Sequence, residues 1–130
     1  MDEKILVRDV MMPNFTKMEG VTKVDEALLV MKEKKVNAVL IEPRNDSDVF
    51  GIATLKDIAR KVIAHNRNLH EVHLYEIMSK PVLSVSSEMP LPYAARFLTN
   101  FNVSYAMVYD NNDVIGMISL NGIVTKWALE

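Results

Sequence analysis

The chain has 130 residues, 49% hydrophobic and 25% charged, with no cysteine and a formal net charge of -2. That composition suits a folded domain and argues against disorder, disulfide staples, thiolate metal centres and a bulk electrostatic drive toward nucleic acid. No apolar run approaches the ~20 residues that span a bilayer, and MDEKILVRDVMM lacks both the basic n-region and the long apolar core of a signal peptide, so a soluble, cytoplasmic protein is expected.

In chain order, NFTKM after Pro13 reads as a short extended segment. VTKVDEALLVMKEKK follows, with apolar residues at 24, 27, 28 and 31 and with Thr22 and Asp25 as capping residues, the signature of an amphipathic helix. NAVLIE and VFGIAT read as strands of a hairpin joined by the turn chemistry of PRNDSD. A helix is expected from near Thr54 through Ile58, Val62 and Ile63, and HNRNLHEVH, residues 65–73, is a polar connector. The same order then recurs. PVLSV is extended, LPYAARFLTNF helical with Pro90 and Pro92 at its opening, SYAMVY and DVIGMIS are strands around DNND, and LNGIVTKWALE is helical.

The chain is therefore an internal repeat. RDVM at Arg8–Met11 returns as YEIM at Tyr75–Met78, and VDEALLVMKEKKV as LPYAARFLTNFNV, both 67 residues on. GIATLKDIARKVI, from Gly51, returns as GMISLNGIVTKWA, from Gly116, only 65 residues on, so the second copy is shorter by one loop. The expected class is α+β: two strand–helix–strand–strand–helix repeats, residues 1–66 and 67–130. Each is too small to bury a comfortable core alone, so the two form one compact module.

In this order and at this spacing, the leading DVM or EIM, the proline before the first strand, the DEALLVM or PYAARFL helix, the VNAVLI and VSYAMV strands and the G-x-x-T/S-x-x-D of GIATLKD resemble a tandem pair of cystathionine-β-synthase (CBS) domains, a Bateman module. The resemblance covers nearly the whole chain. It implies a non-catalytic regulatory or energy-sensing module. Such a module binds an adenosine-containing ligand, AMP, ADP, ATP or S-adenosylmethionine, between the repeats, needs no other cofactor, and acts on an effector protein. Two departures stand out. One residue separates Met11 from Pro13 where Ser79 and Lys80 separate Met78 from Pro81, and Gly122 replaces the aspartate in the second copy.

The residues around GIATLKD support two compatible readings. Thr54 at a helix N-cap with Asp57 three residues on could grip a nucleotide, the carboxylate accepting from the 2′- and 3′-hydroxyls of a ribose and the free N–H groups facing phosphate. The same T-x-x-D is equally a capping box. Ala38 and Val39, with Phe15 and Thr16, are the expected adenine slot, although ordinary core serves the first two as well; Lys56, Arg60 and Lys61 are candidate phosphate neighbours or solvated charges. In the second copy Ser84, Tyr105, Ala106 and Ser119 occupy the corresponding places. His70 and His73 lack a third ligand nearby, so a metal is not expected, and no acid–base–nucleophile set is identifiable. Leu120, Ile123, Val124 and Trp127 form an apolar stripe, part of it expected to cover the sheet and the rest, Trp127 above all, to make a homodimer. The alternative to a ligand sensor is a ligand-free dimerisation or protein-interaction module.

Overall fold

The computed structural model describes residues 5–129; residues 1–4 and the expected helical position Glu130 lie outside it. Its packing falls into two compact units whose boundaries differ from those of the repeats.

One unit comprises Thr16–Val82. Strand β1 (Lys17–Met18) runs parallel to β2 (Ala38–Ile41), and β2 pairs antiparallel with β3 (Gly51–Thr54). The extended segment expected from residue 14 thus contributes only two residues to the sheet. Helix α1 (Val24–Lys34) buries Val24, Ala27 and Met31, the apolar periodicity read from the sequence. Its start departs from expectation: Lys23 is the N-cap with no side-chain cap, and Val24 N–H donates instead to Val72 O at 2.8 Å. The helix closes on Lys35, a left-handed residue at φ 58°. Helix α2 (Leu55–Lys61) is shorter than expected, and Ile63–His65 form a separate 3₁₀ turn. Val39, Ile41, Ala53, Ile58 and Val62 make the core together with Val72 of the polar connector and with Leu74 and Ile77 just after it.

The other unit joins the leading residues through Phe15 to Leu83 onward. Strands β4 (Ser84–Ser86), β5 (Tyr105–Asp110) and β6 (Asp113–Ser119) repeat the parallel–antiparallel order, with helices α3 (Leu91–Asn100) and α4 (Leu120–Leu129). Pro92 lies in the first turn of α3 with Pro90 as N-cap, as expected. Asn111 and Asn112, at φ 51° and 74°, make the two-residue hairpin turn, where the side-chain amide makes positive φ tolerable. The loss in the second copy therefore falls in this hairpin, against a longer loop between β2 and β3.

In each unit the outer hairpin strand gains one further pairing, from the DVM or EIM segment of the other repeat. Ser79 exchanges two 2.9 Å backbone bonds with Ile52, and Met12 pairs likewise with Met117 at 2.7 and 3.1 Å. The two glycines make room. A Cβ on Gly51 would stand 2.8 Å from Met78 Sδ, and one on Gly116 2.9 Å from both Met11 Sδ and Met12 O.

Candidate functional site in the Thr16–Val82 unit

Parallel β1–β2 and antiparallel β2–β3 bring the start of β1, the start of β2 and the end of β3 to one end of the sheet. Thr16, Ala38 and Thr54 are the residues found there, Ala38 directly opposite Thr54. Thr54 ends β3 in extended conformation (φ -123°, ψ 165°) and caps α2. Its hydroxyl accepts from Asp57 N–H at 3.1 Å and donates to Asp57 Oδ2 at 3.0 Å, while Thr54 N–H donates to the same Oδ2 at 2.9 Å. Both halves of the capping box are thus formed. Asp57 Oδ1 receives none of these bonds; it lies 3.8 Å from the ammonium of Lys61.

Thr16 is buried, and its Oγ1 has no hydrogen-bond partner. Buried hydroxyls are nearly always satisfied, and an orphan is a feature to be explained. Its carbonyl, by contrast, accepts from Leu40 N–H at 2.9 Å.

The remaining expected residues divide. Val39 is fully buried in the core cluster, Ala38 almost so, and Lys56 and Arg60 lie exposed on α2. Seven residues of α2 supply too short a dipole to make the phosphate reading stand on the helix alone. Phe15, partly buried, closes the leading segment of the other unit. In that unit Tyr105 stands opposite Ser119 as Ala38 does opposite Thr54, Ala106 is fully buried, and Ser84 is exposed. Ser119 Oγ accepts from Gly122 N–H at 2.9 Å, a half cap with no carboxylate to complete it.

Lys61 was legible only as a candidate phosphate neighbour or solvated charge, and not as a partner of Asp57 and Ile77. A lysine late in a short helix reads as a solvated charge, and its second partner, Ile77 O at 3.0 Å, comes from 16 residues away. The histidines turn to separate carboxylates, His70 Nδ1 to Asp25 at 2.8 Å and His73 Nδ1 to Glu76 at 3.2 Å. Glu76, which also accepts from His73 N–H and Arg67, is lowered from 4.5 to about 2, the His73 backbone bond being the largest cause.

A cavity of about 670 Å³ opens at the opposite end of the sheet, lined by Glu19, Glu42, Asp48, Tyr75, Met78 and Lys80 among others. It contains none of the expected ligand residues. Across it Asp48 accepts from Lys80 Nζ at 2.7 Å and from Arg44 N–H at 2.9 Å, and these bonds, that from Lys80 foremost, hold its carboxyl far below the usual range.

A family model, the CBS domain, matches residues 7–64 and again 74–128. The chain belongs to the CBS-domain family. The two CBS repeats are 30% identical over 95 residues to an uncharacterized protein of Methanopyrus kandleri, covering 72% of this chain and 48% of that one. They are 29% identical over 118 residues to a homoserine O-acetyltransferase of Methanohalobium evestigatum, covering 90% of this chain and 23% of that one. The chain thus spans less than half the length of either relative. Among solved structures, a hexameric CBS-CP12 protein from bloom-forming cyanobacteria superposes with TM-score 0.88 at 33% identity, over 94% of this chain and 70% of that one. The CBS domain pair of protein MJ0100, in complex with 5′-methylthioadenosine and S-adenosyl-L-methionine, superposes with TM-score 0.81 at 24% identity, over 97% and 98%, and shares the fold. Among the described residues no helix is long and apolar enough to cross a membrane.

Proposed function

We propose that this CBS-domain chain is a non-catalytic regulatory module that binds an adenosine-containing ligand, gripping the ribose through Asp57 in the first repeat, and modulates an effector protein. The observation that carries this reading is the unpartnered Thr16 Oγ1 at the same sheet end as the Thr54–Asp57 cap. A carboxylate with one oxygen outside the capping box and a hydroxyl with unused bonding capacity are two polar handles at the mouth of an apolar strand, which is what an adenosine needs. The adenosyl ligands of the MJ0100 pair belong to a chain of the same fold and support that class of ligand. Thr16, Ala38 and Val39 are the proposed adenine neighbours within the unit.

Calorimetric titration with AMP tests the proposal. Asp57→Ala should weaken AMP binding by on the order of 1 to 3 kcal/mol, the range for a lost charge-assisted acceptor. The lost cap should also cost about 1 kcal/mol of stability, so melting is measured beside binding. Thr16→Val separates the two quantities. Replacing an orphan hydroxyl by a methyl should leave the free protein unchanged or raise its stability by about 1 kcal/mol, while AMP binds more weakly. Wild-type AMP affinity in both variants would refute the assignment.

A second reading, a ligand-free interaction module, is favoured by the completeness of the Thr54–Asp57 cap, which needs no ligand to satisfy it. Absence of heat with AMP, ADP, ATP and S-adenosylmethionine alike would select it.

A further inference from the structure

Lys61 touches two things that belong to different parts of the chain. Its ammonium lies 3.8 Å from Oδ1 of Asp57, one turn back on α2, and donates a 3.0 Å hydrogen bond to the carbonyl of Ile77 in the EIM segment. Ile77 is fully buried, and the residues after it are fixed in turn: Met78 Sδ stands over Gly51, and Ser79 pairs through both backbone groups with Ile52.

The two oxygens of Asp57 differ. Oδ2 already accepts from the amide and the hydroxyl of Thr54, so Oδ1 is the oxygen left for a further donor. That is the oxygen Lys61 faces. A donor arriving at Oδ1 shares it with the ammonium, and the ammonium is also what holds Ile77 O.

We propose that Lys61 is a positioning residue that couples the state of the Asp57 carboxylate to the stretch Ile77–Ser79. With both contacts formed, Lys61 ties α2 to that stretch; when Asp57 loses its charge or turns Oδ1 to another donor, Lys61 loses one of two anchors and grips Ile77 O less well. Linkage makes the effect reciprocal: whatever loosens Ile77–Ser79 also changes what Asp57 holds. The Lys61 side chain is 39% exposed, so the pair is weak and the coupling is small. The ligand arm of the test below rests on the ribose reading proposed above; the ligand-free arm does not.

The test is amide hydrogen exchange on the full chain. The amides of Ile52 and Ser79, which bond each other's carbonyls, report on the stretch Ile77–Ser79, and that of Leu40, bonded to Thr16 O in the same unit, is the reference. Asp57→Asn should speed exchange at Ile52 and Ser79 about 2- to 5-fold relative to Leu40, the range for a partly exposed pair. In a Lys61→Met background the same substitution should leave that ratio unchanged, and in a Lys61→Arg background the response should return. An equal response to Asp57→Asn with and without Lys61, or equal acceleration at Leu40, overturns the coupling. In the second arm, at AMP concentrations raised until each protein is saturated, AMP should shift the Ile52 and Ser79 ratios in the wild type and leave them fixed in Lys61→Met. A shift in both proteins overturns the coupling while sustaining the ribose reading. Absence of AMP binding to the wild type defeats the ribose reading, and the ligand-free cycle still decides for or against Lys61.

Discussion

Gly122 is where the two copies of one motif part company, and its local geometry says what a carboxylate there would do. Its φ is not in the left-handed region and it lies in the first turn of α4, so an ordinary residue suits the backbone and relieves the entropic cost of a helical glycine. A Cβ would stand 3.1 Å from Ser119 Oγ and 3.8 Å from Val10 Cγ1, a fit that asks the serine hydroxyl to give by a few tenths of an ångström. In the first copy Asp57 reaches back to Thr54 N–H, and the Ser119 counterpart has only the hydroxyl half of that box. Gly122→Asp should therefore complete the box and raise stability by about 1 kcal/mol, from the helix propensity and the cap together. On the ribose reading it should also add a second site, read as AMP stoichiometry against that of 2′-deoxy-AMP. A gain in melting temperature with unchanged stoichiometry would mean that the carboxylate serves only as a cap.

The elements show how far local signals reach. Helix α1 and both hairpins were legible because periods of 3.6 and 2 and the turn residues lie within a dozen positions of each other. The exchange of the DVM and EIM segments was not, because a repeat is read along the chain whereas Met78 on Gly51 and Met11 on Gly116 are contacts across it. The same holds for the cap of α1, supplied by Val72 O and not by Thr22 or Asp25. At the candidate site the T-x-x-D cap was legible from its spacing; the orphaned Thr16 hydroxyl and the Lys61 contacts required the fold. The unequal loops have a partner in the exchanged segments. Lys80, which the leading segment lacks, anchors Asp48 in the long β2–β3 loop, while the two-residue Asn111–Asn112 turn has no loop to anchor. The glycines offer a differential test. At Gly51 an added methyl meets first the thioether of Met78, a flexible side chain; at Gly116 it meets a backbone oxygen, Met12 O, as closely as the Met11 sulfur. Gly116→Ala should cost about 1 to 3 kcal/mol, in the usual range for overpacking, and Gly51→Ala clearly less. Equal losses in denaturant unfolding would show that the methionine, and not the exchanged backbone, sets the cost.

At the scale of the molecule, the apolar stripe of α4 divides in two. Ile123 is buried and Leu120 packs against the same core, whereas Val124 is 62% and Trp127 55% exposed. Between α3 and α4 lies a groove of about 530 Å³ lined by Leu91, Pro92, Ala95, Val124 and Trp127. A tryptophan left half in water at the lip of an apolar groove is unfavourable for a lone chain, and large aromatics of this kind concentrate binding energy when a partner covers them. The homodimer expected from the sequence would use this face. An isologous contact would bring each Trp127 and groove against its counterpart, doubling the apolar area removed from water for one such surface per chain. Sedimentation velocity over a concentration series should give a dimer that Trp127→Ala converts to monomer, with the far-ultraviolet circular dichroism unchanged because the side chain lies outside the buried core. Val124→Glu, which places a charge on the same face, should do so independently of any loss of aromatic area. A wild type that sediments as a monomer at every concentration would refute the homodimer and leave Trp127 to a partner of another kind, and a dimer indifferent to both substitutions would move the interface away from α3 and α4.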